Sequence, residues 1–403
     1  MFLQIILAIF CGCLAGIFTG LIPGVHINLV SLLLVSISGY MLGFTSPLIL
    51  AVFIIAMSVT HTFLDSIPSV FLGAPDPDQA LNVLPGHRLL LQGKGYEAVK
   101  LTVIGSLLSL ILVLILMPFL LPFVPGIYLF VKPYMAYILI AVVVFMIIKE
   151  GSLKGIMLGT IVFLLSGVLG IIVLGFPNLN QPLFPLLSGL FGVSVLLMSL
   201  NDKVNVPKQE ISETIVVSPV HKAKAIGAAV FAGSLTGIFP GLGAAQAAII
   251  GMQLVGDIGE YAFMILVGGI NTVNFVFSLA TFYTLQKARN GAIVAVLEIV
   301  KSISLVELIV LLCTALIAGG AATYLAFKIT RVFSRMISKV NYRLICITII
   351  CFITVLAFVF SGFLGLLVLL TSTAVGFLSP LFGVKRSLAM GCLLLPVIFY
   401  FLI

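Results

Sequence analysis

Leu107-Leu-Ser-Leu-Ile-Leu-Val-Leu-Ile-Leu-Met-Pro-Phe-Leu-Leu121 decides the fold class. The stretch carries one hydroxyl and no charge, and its apolar residues do not alternate with polar ones. A strand of a membrane barrel would alternate, whereas a helix of about 20 such residues spans the hydrocarbon core of a bilayer. Similar runs recur from one end of the chain to the other. Of 403 residues, 62% are hydrophobic and 8% are charged, against about 25% charged in soluble domains. A water-soluble fold is excluded. The apolar content suffices for about 10–14 membrane segments, re-entrant hairpins included. The expected class is an all-α polytopic membrane protein.

The charges that remain are unevenly placed. The first acid is Asp65 and the first Lys or Arg is Arg88. Apolar segments read near 2–20, 25–43, 47–65, 101–118, 134–148, 155–175 and 183–199. They resume near 225–241, 243–256, 260–286, 302–327, 344–360, 362–379 and 387–402. Polar loops read at 86–100 and 287–301, a linker at 200–224, and a Pro-rich connection at Pro118–Pro133. Net charge is +8. In a membrane chain this reads as basic loops held inside rather than as a nucleic-acid surface. Lys328, Arg331, Arg335, Lys339 and Arg343 form the densest basic cluster, which places 328–343 in the cytoplasm. Counting spans from there puts both termini outside a multi-pass plasma-membrane protein. The six cysteines, Cys11, Cys13, Cys313, Cys346, Cys351 and Cys392, lie in apolar segments without metal-site spacing. All are read as small buried hydrophobes.

Two decapeptides repeat. Ala15-Gly-Ile-Phe-Thr-Gly-Leu-Ile-Pro-Gly24 aligns with Ala232-Gly-Ser-Leu-Thr-Gly-Ile-Phe-Pro-Gly241, with Ala, Gly, Thr, Gly, Pro and Gly shared. Apolar membrane sequence rarely aligns Thr and Pro by chance. The chain therefore divides into 1–200, a cytoplasmic linker at 201–221, and 222–403. The span count makes the two halves an inverted-topology repeat, the sequence pointer to a secondary transporter. Gly-x-x-Pro-Gly breaks a helix, because Gly admits positive φ and Pro lacks a donor. Broken backbone is tolerated in a membrane only where it is covered or lines a cavity. A packing kink between two spans is the plainer alternative.

Gly237-Ile-Phe-Pro-Gly-Leu-Gly-Ala-Ala-Gln-Ala-Ala248 resembles the glycine-proline signature of the large membrane subunit of tripartite tricarboxylate transporters. Ser66-Ile-Pro-Ser-Val-Phe-Leu-Gly-Ala-Pro-Asp-Pro-Asp-Gln-Ala80 resembles the same family's first-half motif, continued by Gln92-Gly93. Val384-Lys-Arg-Ser-Leu-Ala-Met-Gly-Cys-Leu-Leu-Leu-Pro396 is similar to its C-terminal segment. The chain is short for a bacterial subunit and resembles the archaeal stand-alone branch. His26 and Asn28 stand where the family has small residues. The resemblance implies import of a small organic carboxylate with an ion gradient. It leaves open whether a small membrane subunit and a binding protein take part, whether the chain stands alone, and whether it forms a homodimer.

Polar residues inside apolar segments complete the reading. An ionisable residue in a span costs about 2.5–3.5 kcal/mol on insertion scales and faces a cavity or a partner. His61 and Asp65 are i and i+4 on one helical face. With Thr62, Ser66, Asp76 and Asp78 they are candidates for coupling sodium or a proton; the alternatives are that Asp65 caps the next turn and that the other two acids are solvated. Gly20, Pro23, Gly24, His26 and Asn28 surround the first break. Gly237, Pro240, Gly241, Gly243 and Gln246 surround the second, and Asn271 and Asn274 mirror the His61 region. These twelve are candidate substrate-binding residues. His87 and His221 read as solvated. Nucleophile pairs, metal-ligand clusters and Gly-rich phosphate loops are absent, so neither an enzyme, a metal nor a cofactor is expected. The expected function is a secondary permease for a small organic anion among membrane lipids. A translocase for an anionic lipid carrier such as a polyprenyl phosphate and an intramembrane enzyme are the alternatives.

Overall fold

The computed structural model describes residues 1–22, 34–35, 38–72, 83–177, 179–201, 207–239, 242–288, 290–337 and 342–402. Among them the chain is helical and contains no strand. The helices are α1 (Phe2–Leu21), α2 (Pro47–Phe71), α3 (Val83–Leu91), α4 (Gly95–Leu120), α5 (Val124–Val131), α6 (Met135–Ile148), α7 (Leu153–Leu174) and α8 (Leu183–Met198). After the linker come α9 (Pro219–Ile238), α10 (Ala244–Val255), α11 (Gly259–Leu285), α12 (Gly291–Val300), α13 (Leu305–Ile337), α14 (Tyr342–Phe382) and α15 (Gly391–Leu402). Seven helical stretches are long and apolar enough to cross a bilayer. Large apolar side chains such as Phe119, Phe130, Phe363 and Leu370 point outward, as lipid contact requires.

Two helices sit at the centre. Buried residues make up 94% of the most apolar window of α11 and 83% of that of α2, against 28–39% in the other five. Both are wrapped through small residues. A Cβ built on Gly16 of α1 would lie 2.5 Å from the Thr60 Cβ, one on Gly12 2.7 Å from the Ala56 Cβ, and one on Gly20 2.9 Å from the Leu64 Cβ. Lipid drives no hydrophobic association between helices, so small residues that admit close backbone approach hold them. The same register recurs in the second half. Gly269 of α11 meets Ala229 of α9, Gly233 meets Val273, and Gly237 meets Phe277. Gly16 and Gly233 are 217 residues apart, and their partners Thr60 and Val273 are 213 apart. In both pairs residue numbers rise together, so α1 runs parallel to α2 and α9 parallel to α11. Between α9 and α11 the chain returns through α10. Its 12 residues make about 18 Å of helix, shorter than the ~30 Å hydrocarbon core.

The two stretches 1–200 and 222–403 interleave in one apolar core. The α4 helix packs on α11, while α13 packs on α2. At the first crossing, Gly105 abuts the Ile265 carbonyl, Gly268 abuts the Thr102 carbonyl, and the Ser106 hydroxyl donates to the Gly268 carbonyl at 3.0 Å. A second layer pairs α7 with α15 and α8 with α14. α14 bends at Gly362, whose φ of 62° is open to glycine at little cost. The break matches the boundary read between 344–360 and 362–379.

Several expected loops are helices. Val83–Leu91 takes the start of the polar loop at 86–100 and α4 begins at Gly95, while Gly291–Val300 occupies most of the loop at 287–301, because each turns Leu, Ile or Val toward the core. The Pro-rich connection stays helical: Pro118 lies inside α4, and short 3₁₀ turns at Leu121–Phe123 and Lys132–Tyr134 take up Pro122 and Pro133. α13 has 33 residues, about 50 Å of helix. Lys328, Arg331 and Arg335 therefore lie on its protruding last turns rather than in a loop. The linker is strapped to the α3–α4 corner. Gln209 donates to the Leu90 carbonyl at 3.0 Å and accepts from the Gly95 amide at 2.8 Å, and the Glu210 amide donates to the Gly93 carbonyl at 2.8 Å. The Ser212 hydroxyl donates to Glu97 at 2.6 Å, and the Tyr261 hydroxyl donates to the other Glu97 oxygen. Of the cysteines, Cys13, Cys346 and Cys392 are buried as expected, but Cys11, Cys313 and Cys351 face outward; lipid surrounds an apolar thiol as readily as a core does.

Gly105→Ala places a methyl against backbone that cannot yield, and we expect a loss of about 1–3 kcal/mol. Gly227→Ala has no atom within 4 Å and should be neutral or stabilising by up to about 1 kcal/mol. Thermal melts of the two variants in detergent check the contrast.

Candidate functional site

The polar residues of α1, α2 and α11 meet in the packed centre. Thr19 sits one residue before Gly20, on the stretch of α1 that packs against α2. Its hydroxyl donates to the Gly16 carbonyl at 3.3 Å, and its oxygen lies 3.2 Å from His61 Nδ1. Thr236 makes the equivalent bond to the Gly233 carbonyl, at 2.7 Å. His61 is 4% exposed and Asp65 3%. The shared face read from their i, i+4 spacing is therefore turned into protein.

Asp65 does not cap a helix with its side chain. α2 runs through it: its amide donates to the His61 carbonyl, and its own carbonyl accepts from the Ser69 hydroxyl at 2.8 Å. The Asp65 carboxylate instead accepts from Asn271 Nδ2 on α11, at 2.9 Å. Asn271 is 1% exposed. This contact joins the two halves of the chain. Thr62 and Ser66 donate to the Val59 and Phe63 carbonyls of their own helix, and keep oxygen lone pairs for another partner. Asn274 is buried on α11 one turn beyond Asn271. By the packing register of the two helix pairs it is the counterpart of His61.

Other candidates have packing roles. Gly20 and Gly237 lie in the close helix contacts described above, where a side chain does not fit. Gln246 is buried, and its Oε1 accepts from the Gly243 amide at 2.9 Å, closing the start of α10. Pro23, Gly24, His26, Asn28, Asp76, Asp78, Pro240 and Gly241 lie outside the described residues. Thr19 was not singled out by sequence, although it is one of the six shared positions of the repeat. Beside the second break, Phe239 stacks on Tyr128 with centroids 6.1 Å apart. Lys287 donates to the Tyr128 hydroxyl at 3.2 Å.

His87 overturns its reading as a solvated loop residue. It is 5% exposed on α3, because that loop is an apolar-faced helix docked against α2. Burial pushes its pKa down to about 4; the Arg386 charge adds to this, and a hydrogen bond to the Val70 carbonyl opposes it. His221, on the first turn of α9, is half-buried. No group of three or more His, Cys, Asp or Glu suited to a metal occurs among the described residues.

Two outcomes follow. Asn271→Ala removes the donor to a buried carboxylate and should destabilise by about 1–3 kcal/mol. The same change in an Asp65→Asn background should cost less, and a double-mutant cycle on melting temperature measures the difference. For His87 the folded pKa lies below the ordinary 6.5. Its contribution is present above pH 6.5 and is lost as pH falls toward 4, by up to about 3 kcal/mol. His87→Gln should flatten the stability profile across that window.

The chain is 29% identical to an uncharacterized protein of Methanocaldococcus jannaschii, over 99% of this chain and 98% of that one. No solved structure matches it. Residues 6–391 match the model of the tripartite tricarboxylate transporter TctA family, and the chain belongs to that family of transporters.

Proposed function

We propose that the chain is a secondary transporter that imports a small organic anion, a carboxylate, at the expense of a sodium or proton gradient. The observation that carries the reading is the buried Asp65–Asn271 pair, 2.9 Å apart, beside His61 in a chain of this family. An intramembrane carboxylate held at the junction of two halves is placed to sense an ion and to report it to both. His61, Thr62, Asp65 and Ser66, with Asp76 and Asp78, take the coupling role. Substrate binding falls to Asn271 and Asn274, with Pro23, Gly24, His26, Asn28, Pro240 and Gly241 of the two breaks. The duplicated packing of α1 on α2 and α9 on α11 supports a repeat; in the inverted form proposed for it, the substrate would sit near the bilayer midplane. The reading places the chain in the plasma membrane with both termini outside, on the distribution of its basic residues.

Proteoliposomes test it. Asp65→Asn should lower gradient-driven carboxylate uptake by about 5–150-fold, the span of a 1–3 kcal/mol coupling. It should spare counterflow exchange, which needs substrate binding without net ion movement. Uptake at the wild-type rate with unchanged ion dependence would remove Asp65 from the coupling role. Imposing sodium and proton gradients separately identifies the ion.

A further inference from the structure

The segment Val384–Pro396 carries part of the family resemblance, yet the cluster around Asp65 uses none of it. Its turn, Arg386–Met390, is wedged against α7, α10 and α14. Leu388, Ala389 and Met390 are buried there, and Arg386 beside them is half-buried. Arg386 Nη2 points at the Met198 sulfur, 3.0 Å away at the end of α8. Its Nη1 is buried and has no hydrogen-bond acceptor among the described residues. Lys385 has partners of its own, the Glu150 carboxylate at 3.6 Å and the Lys149 carbonyl at 3.1 Å. The titratable neighbour on α3 is His87, which feels the Arg386 charge and supplies no counter-charge.

A guanidinium presents five donors in a planar fork, and a thioether is a weak acceptor. A half-buried cation with one covered nitrogen and no counter-charge among the described residues is destabilising. No described residue supplies the anion, and that leaves its place open to a bound one. Among the described residues the Asp65 cluster meanwhile offers hydrogen bonds but no fixed positive charge, and a carboxylate substrate needs one.

We propose that Arg386 is an oxyanion-binding subsite whose fork takes one carboxylate of the transported anion, between α3, α8 and the Arg386–Met390 turn. This rests on the anion-transport reading above and adds to it the missing cation. A lipid phosphate is held by the same bidentate chemistry, and the test separates the two sources. Nη1 is covered in this conformation, so the anion reaches it at a stage of the cycle in which the turn parts from its neighbours.

Wild type, Arg386→Met and Arg386→Lys are purified in detergent and melted with and without citrate, succinate and inorganic phosphate, and again with phosphatidylglycerol added. Arg386→Met removes an uncompensated charge while keeping an unbranched apolar stem, and should melt no lower than wild type. Carboxylate should stabilise wild type. Its apparent affinity should fall about ten-fold or more in Arg386→Met, the equivalent of ~1.4 kcal/mol, with Arg386→Lys intermediate. Arg386-dependent stabilisation by phosphatidylglycerol alone would assign the oxyanion to lipid and overturn the substrate subsite. Equal carboxylate stabilisation of wild type and Arg386→Met would overturn the subsite and leave the transport reading standing. No stabilisation of wild type by any of these anions would also overturn it, and the Asp65→Asn uptake measurement then judges transport independently. If Arg386→Met does not fold, Arg386→Lys decides: it keeps the charge and loses the fork, and a wild-type response from it overturns the proposal.

Discussion

Lipid gives apolar helices no reason to leave it for one another, and it offers an exposed peptide group nothing to bond. Association must come from contact close enough for dispersion and for bonds between backbones. Every other feature of this molecule depends on how that requirement is met at α2 and α11. Gly12, Gly16 and Gly20 bring α1 against α2. Ala229, Gly233 and Gly237 bring α9 against α11. Gly105 and Gly268 bring α4 and α11 to backbone contact. Shape at these positions, rather than hydrophobicity, selects the fold.

That packing is also what makes a polar interior admissible. His61, Asp65 and Asn271 lie in the most enclosed part of the molecule, where protein rather than lipid surrounds them. The hydroxyl of Thr19 is available to His61 because Gly16 and Gly20 let α1 approach. The Asp65–Asn271 bond exists because helices from the two halves interleave instead of forming separate bodies. Toward one end, the linker is fastened to α3 and α4 through Gln209, Glu210 and Ser212, and Glu97 ties α4 to Tyr261 of α11. Near the Phe239 break, Tyr128 and Lys287 join α5 to the end of α11. The centre is braced from both directions.

The class of fold, most helix positions and the duplication were legible in the chain itself. A bilayer demands long unbroken apolar runs, and such runs are visible without knowing what they pack against. The Gly-x-x-x-Gly spacing of Gly12, Gly16 and Gly20 was equally visible, but its meaning depended on which helix lay opposite. Local chemistry also misled in places. Lys and His residues near Val83–Leu91 and Gly291–Val300 suggested loops, yet the intervening Leu, Ile and Val residues fold them into docked helices. His87 was assigned to water by its basic neighbours and is held in the core by that docking.

The sequence by itself determined that Asp65 and His61 share a helical face and that Asn271 lies in an apolar span, because helical periodicity is a property of neighbours in the chain. Only the tertiary structure decided that Asp65 turns to Asn271 rather than to a helix cap, that His61 turns to Thr19, and that Arg386 is carried beside Met198 and His87. Those pairings span 206, 42, 188 and 299 residues of chain. No local pattern encodes distances of that order, because they are set by which small residues let which helices touch.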